Sequence, residues 1–301
     1  MKKKVLSLLL AVVMTFSLAV TANAAEETAQ DLDGDIVILH TNDVHGAISG
    51  YAKVAALKDA YEARGAYVLL MDAGDFIQGD PTVSTSEGAT AVELMNLAGY
   101  DVASMGNHEF DYKMDALKAN AEKAEFPILA ANIVDTETKK PVFGDHIIFD
   151  TPIGKVGVFG LDTPETATKA HPAKIQGVTF LAGDKMFDCA QDQVDALEAE
   201  GCEYIICLGH LGIDAESTGN RSIDLLEKVE GIDVFIDGHS HSTLEDVKAA
   251  AGGTGKVGDT LVTSTGTKLE SVGVVTIDAD GTITTATTPV ADLTATDADV
   301  A

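Results

Sequence analysis

Ile36-Val37-Ile38-Leu39-His40-Thr41-Asn42-Asp43-Val44-His45-Gly46 decides how the rest of the chain is read. An unbroken apolar, β-branched run is what a strand covered on both faces requires, and here it gives way at once to polar side chains that can hold a cation. The same figure recurs. Asp75 closes YVLLMDAGD, Asn107 follows DVASMG, His210 ends YIICLGH, and His239 and His241 follow IDVFIDG. Ligand-type side chains from position 43 to position 241 can meet only if the strands lie side by side and release their loops at one sheet edge. The pattern points to an enzyme.

Working outward, buried strands are expected at 36–40, 67–71, 101–105, 128–133, 156–161, 204–208 and 232–236, with helical periodicity at 51–63, 88–98, 113–124, 183–200 and 219–229. Their alternation implies a layered α/β core. After Gly238 the texture turns to Gly, Thr and Val in the runs 260–265, 269–277 and 282–288, with DADG at 278–281 signalling a hairpin, so a mixed or antiparallel edge is expected to close the domain. GGTGK at 252–256 lacks the spacing of a phosphate loop and reads as a turn. DLDGD at 31–35 lacks the distal glutamate of a calcium loop and reads as a solvated leader. No repeat unit is present.

A chain of 301 residues with 46% hydrophobic content can bury a sizeable core. Met1-Lys2-Lys3-Lys4, an apolar stretch from Val5 to Val20 and Ala22-Asn23-Ala24 match the three parts of a secretory signal. Residues 1–24 are therefore expected to be removed, 25–34 to be a leader, and the protein to be secreted, periplasmic or held at the cell surface. No later segment could span a bilayer. Removal takes three lysines and no acid, leaving 17 basic against 48 acidic residues and a net charge of −31, which repels polymeric nucleic acid. The cysteines, Cys189, Cys202 and Cys207, are odd in number and expected to form no structural disulfide; Cys207, inside an apolar run, reads as a small buried hydrophobe.

The chemistry follows from residue type and spacing. Asp43 and His45 stand two apart, which in extended chain places both on one face, and His239 and His241 repeat that interval. Asp75 is a carboxylate with two oxygens and can bridge two cations. Imidazole, carboxylate and neutral amide together suit borderline ions such as Zn, Mn or Fe(II), and seven ligands are too many for one tetrahedral ion, so two divalent metals are expected. Such a pair would draw a phosphate group even into an anionic protein.

HTNDVHG, DAGD, GNHEFD, LGH and DGHSH, in this order, resemble the signature of the calcineurin-like metallophosphoesterases, specifically the secreted 5′-nucleotidase and UDP-sugar hydrolase branch, over residues of roughly 35–290. The resemblance implies an αββα sandwich with mixed sheets. It implies one metal on Asp43, His45, His241 and Asp75, a second on Asn107, His210, His239 and the same Asp75, and attack on phosphorus by a metal-bound hydroxide. His108 would protonate the leaving oxygen or stabilise transition-state charge, with Asp111 orienting it. His40, His146 and His171 read as structural hydrogen-bonding residues, and Glu109 as a group that caps a turn or binds backbone donors.

The resemblance also implies a second, nucleobase-binding domain, so 35–290 is expected to be a catalytic domain and 291–301 the start of a linker to a C-terminal substrate-binding domain absent from this chain. The leading expectation is a dinuclear hydrolase of small phosphate esters, foremost nucleoside 5′-monophosphates. UDP-sugar or dinucleotide pyrophosphatase and 2′,3′-cyclic nucleotide phosphodiesterase activities are alternatives on the same scaffold. A surface binding module without turnover is the alternative of a different class; its mark would be lost ligands, and none is missing.

Overall fold

The computed structural model describes residues 31–301, so the export signal read at 1–24 lies outside the described residues. In chain order the first half runs β1 (Ile36–Thr41), α1 (Tyr51–Glu62), β2 (Tyr67–Asp72), α2 (Pro81–Thr85), α3 (Ala89–Ala98), β3 (Val102–Ser104), α4 (Met114–Lys123), β4 (Ile128–Leu129), β5 (Ile133–Asp135) and β6 (His146–Thr151). The second half runs β7 (Gly154–Asp162), α5 (Thr166–Lys169), β8 (Val178–Phe180), α6 (Asp184–Ala199), β9 (Tyr204–His210), α7 (Ser222–Leu226), β10 (Val234–Asp237), α8 (Leu244–Ala250), β11 (Lys256–Val257), β12 (Thr260–Thr263), β13 (Ser271–Ile277) and β14 (Ile283–Pro289).

The strands form two six-stranded sheets, ordered β14-β13-β1-β2-β3-β4 and β11-β12-β10-β9-β7-β6, with β5 and β8 as a separate ribbon. Both sheets are mixed. β1 to β4 are parallel and β13 and β14 close their edge antiparallel. In the other sheet β7, β9, β10 and β12 are parallel, flanked antiparallel by β6 and β11.

Strand periodicity explains the layering. Ile36 and Ile38 point to one face of β1 and Val37 and Leu39 to the other, and all four are buried. The first pair joins Leu69, Met71, Ile206, Leu208, Val234 and Ile236 in an apolar cluster drawn from both sheets. Val37, Leu39, Val68 and Leu70 instead pack with Val54, Val92, Met95 and Leu117 of α1, α3 and α4. On the outside of the second sheet, Phe159, Cys207 and Phe235 meet Met186, Ala190, Val194 and Leu197 of α6. These α6 residues recur at helical spacing, so one stripe of an otherwise acidic helix is covered. The result is the expected αββα sandwich.

Two expected elements differ. The single strand read at 128–133 breaks between Leu129 and Ile133 because Asn132 is taken by β7: its side chain donates to the Asp162 carbonyl at 2.7 Å and accepts from the Asp162 amide at 2.9 Å. The helix read at 219–229 shrinks to α7 because Asp224 accepts from the Gly219 and Arg221 amides, capping the turn late. All three cysteines are free. Residues 252–256 form a turn leading into β11. Past 290 the chain folds back, the Asp297 amide donating to the Ala52 carbonyl at 2.8 Å and Val300 entering the first core cluster. Among the described residues no helix is long and apolar enough to cross a membrane.

Candidate metal centre and active site

The parallel strands of both sheets point their carboxyl ends at one edge, and the candidate ligands emerge there. Asp43 and His45 follow β1, Asp75 follows β2, Asn107 and His108 follow β3, His210 ends β9, and His239 and His241 follow β10. Asp43, His45, Asp75, His239 and His241 all have φ between 46° and 73°, in the left-handed region that disfavours side-chain-bearing residues. Five of the nine described non-glycine residues with positive φ are thus candidate ligands, which concentrates left-handed backbone at this edge.

The first expected group is assembled. Asp43, His45 and His241 each offer a ligand atom within 4.8 Å of the others. His45 Nε2 lies 2.9 Å from His241 Nε2, 3.8 Å from Asp43 Oδ1 and 3.8 Å from Asp75 Oδ2. The Gln78 amide oxygen sits 3.0 Å from His45 Nδ1, an arrangement that suits a proton on Nδ1 and a lone pair on Nε2 toward the cluster. The second expected group comes in two pairs. His210 Nε2 is 3.1 Å from Asp75 Oδ2, and His239 Nδ1 is 2.7 Å from Asn107 Oδ1. The rings of His210 and His239 join the pairs, their centroids 5.2 Å apart.

His210 tests whether the site suits a cation. Its Nδ1 donates to the Ala73 carbonyl at 2.7 Å, while the buried Nε2, 3.1 Å from the Asp75 carboxylate, makes no well-aligned hydrogen bond. Burial disfavours the charged ring, but Asp75 and Asp43 beside it overcome this and hold its pKa well above the ordinary value. The position is built to meet positive charge. Asp43 is raised to about 7, chiefly by burial. Asp75 is also pushed up by burial, yet His210, His108 and His45 pull it well below the usual carboxylate range. Burial lowers His45 and His241 and brings His239 down to about 4, leaving these rings neutral as ligation demands. Close approach is secured by glycine: a Cβ on Gly106 would lie 2.4 Å from Asp75 Oδ1.

His108 sits apart in kind. Its Nδ1 is 2.6 Å from Asp111 Oδ2, and that hydrogen bond, against the opposing effect of burial, lifts its pKa to about 8. One of its ring nitrogens is close enough to His45 and Asp75 that distance alone also allows it a ligand's place. The Lys174 ammonium binds the Asp111 carbonyl from the far side. A cavity of about 270 Å³, lined by Asp75, Asn107, His108, Asp111, Lys169, Ala170, His239 and His241, opens over the cluster.

Residues around the ligands complete the site. Glu109 accepts from the amides of Asp75, Phe76 and Gly106 at 2.6–2.9 Å and so binds the loops after β2 and β3 together. Asp237 accepts from Leu211 and Gly212 and from the Ser222 hydroxyl, fixing the loop after β9. His40 lies 3.2 Å from the Thr263 hydroxyl, between the sheets. His146 contacts Gln193 and His171 caps its own turn, both away from the cluster. Gln78, Glu165 and Lys169 were not singled out from the sequence. Glu165 did carry a signal, since Asp-Thr-Pro-Glu at 162–165 follows an apolar strand as every ligand cluster does.

A family model described as calcineurin-like phosphoesterase matches residues 36–243. The chain is 33% identical over 248 residues to the trifunctional nucleotide phosphoesterase protein YfkN of Bacillus subtilis, covering 71% of this chain and 16% of that one. It is 32% identical to a 5′-nucleotidase of Vibrio parahaemolyticus, covering 74% of this chain and 43% of the relative. The crystal structure of YfkN from Bacillus subtilis superposes with a TM-score of 0.73 at 25% identity, over 88% of this chain and 94% of that one. The chain thus spans less than half the length of these two relatives.

Proposed function

The chain belongs to the calcineurin-like phosphoesterase family, and from that premise we propose that it is the catalytic part of an exported hydrolase of small phosphate esters working with two divalent cations. Nucleoside 5′-monophosphates are the substrate class the relatives' names support best. Asp43, His45 and His241 would hold one cation and Asn107, His210 and His239 the other, with Asp75 shared between them. Bound there, divalent cations supply Lewis-acid polarisation of the phosphate and a water acidified toward neutrality. Zn, Mn or Fe(II) fits the imidazole, carboxylate and amide donors.

The chain's own residues supply the rest. His108 lines the cavity with one nitrogen held by Asp111, so it can keep a proton on the other and deliver it to the leaving oxygen. Asn107 and Asp75 line the same cavity as His108, so a phosphate end drawn to the cations would lie beside that imidazole. A net charge of −28 disfavours polymeric nucleic acid, leaving small esters as the ligands. Nucleobase recognition would fall to a C-terminal domain outside these residues.

The observation that carries the reading is the buried Nε2 of His210, which lacks a well-aligned hydrogen bond and stands between the Asp75 and Asp43 carboxylates at 3.1 and 3.9 Å. Metal analysis of the purified chain, coupled to phosphate release from AMP, a UDP-sugar and a 2′,3′-cyclic nucleotide, tests it. Two equivalents of metal with AMP turnover support the proposal. A chain that takes up no metal and releases no phosphate from any of the three overturns it.

A further inference from the structure

Glu165 stands three residues beyond the end of β7, on the loop that leads into α5. Its Oε2 is 3.0 Å from His239 Nε2 and 2.5 Å from the Lys169 ammonium, and its Oε1 accepts from the Ser217 hydroxyl at 2.7 Å. The opposite side of the same imidazole has a different neighbour, Asn107 Oδ1, 2.7 Å from Nδ1. His239 therefore lies between two oxygen acceptors. One is a charged carboxylate and the other a neutral amide, and a ring with a single N–H gives it to the stronger acceptor. That choice leaves the Nδ1 lone pair turned toward Asn107 and the cluster.

We propose that Glu165 is a positioning residue: its carboxylate takes the Nε2 proton of His239, fixing the tautomer and ring orientation that present Nδ1 to a cation shared with Asn107. The inference rests on the reading of His239 as a metal ligand. Carboxylate partners of this kind fix imidazole orientation and raise ligand basicity. Ser217 and Lys169 approach from outside and keep the carboxylate from rotating away. Lys169, Ser217 and His239 together occupy both oxygens of this one carboxyl group. His45 has the same arrangement with a neutral group, Gln78, so each expected cation has one histidine whose far nitrogen is tied to a side-chain oxygen.

The test uses the chain as native, Glu165→Ala and Glu165→Gln proteins. Nitrogen NMR on histidine-labelled, metal-free chain reads the tautomer of His239 directly. The native ring is expected in the Nε2–H form, the Ala variant to lose that preference, and the Gln variant, which keeps an oxygen at the same reach, to retain it. A native ring protonated on Nδ1, or an unchanged tautomer in Glu165→Ala, overturns the proposal. Competition with a chromophoric chelator then reads zinc affinity: Glu165→Ala should bind one of its two equivalents about 10- to 100-fold more weakly, with Gln recovering most of the loss. Unaltered zinc affinity in the Ala variant likewise counts as refutation. Should even the native chain bind no zinc, the metal-dependent function falls, and the NMR result still decides the role of Glu165.

Discussion

His108 and Asp111 divide one task between them. The 2.6 Å bond from the imidazole to the carboxylate keeps the ring charged and aimed, and neither side chain is needed to assemble the Asp43, Asp75 and His210 group. Replacing His108 with Ala should therefore leave the metal content unchanged while lowering kcat by about 10²- to 10⁴-fold. Loss of metal from that variant would make His108 a ligand. His40 shows the opposite use of a histidine. Buried between the sheets, its ring is lowered from 6.5 to about 3 by desolvation, so the folded protein keeps it neutral where the unfolded chain takes up a proton. The stability this residue contributes is whole above pH 6.5 and drains away as pH falls toward 3, at roughly 1.4 kcal/mol for each unit. In urea denaturation at about pH 7 and about pH 5, His40→Leu should lose less stability over the interval than the native chain. An equal loss would show that His40 is not held neutral.

At the scale of elements, the site is as good as the register of the strands that carry it. His40 of β1 pairs with Gly273 of β13, and a Cβ there would fall 1.9 Å from His40 Nε2, so the imidazole occupies the space a side chain would need. Gly273→Ala should destabilise the chain by about 1–3 kcal/mol in denaturant titration, because the ring cannot move without opening the inter-sheet core. A neutral effect would mean that the ring has room to shift. The long parallel strands and the ligands at their ends were legible because an apolar run followed by His, Asp or Asn is a local signal. β6 and β8 were not: β6 is only half-buried along its length and β8 has three residues, so neither forms a continuous apolar stretch. The break at Asn132 was hidden for a different reason, since it depends on a partner thirty positions away in sequence. Gln78 escaped because a residue that touches a candidate ligand from behind has no spacing of its own to mark it, whereas Glu165 followed an apolar strand as the candidate ligands do and could have been read.

For the molecule as a whole, charge acts at two ranges. A net −28 would repel an anionic substrate at a distance, whereas the cations that the site would hold attract it at contact. Raising ionic strength from about 10 to about 150 mM shortens the screening length to about 8 Å and should increase kcat/KM for AMP, the reverse of ordinary electrostatic steering. A fall would place the attraction at long range. The two sheets contribute candidate ligands from both sides of the sandwich, Asp43, Asp75 and Asn107 from one and His210, His239 and His241 from the other, so the proposed centre would form only when the whole sandwich is closed. Anomalous diffraction from crystals of the chain loaded with zinc tests that arrangement most directly. Two peaks separated by roughly 3.5–4 Å and both touching the Asp75 carboxylate are expected. Peaks confined to one sheet's residues, or none near Asp75, would contradict it.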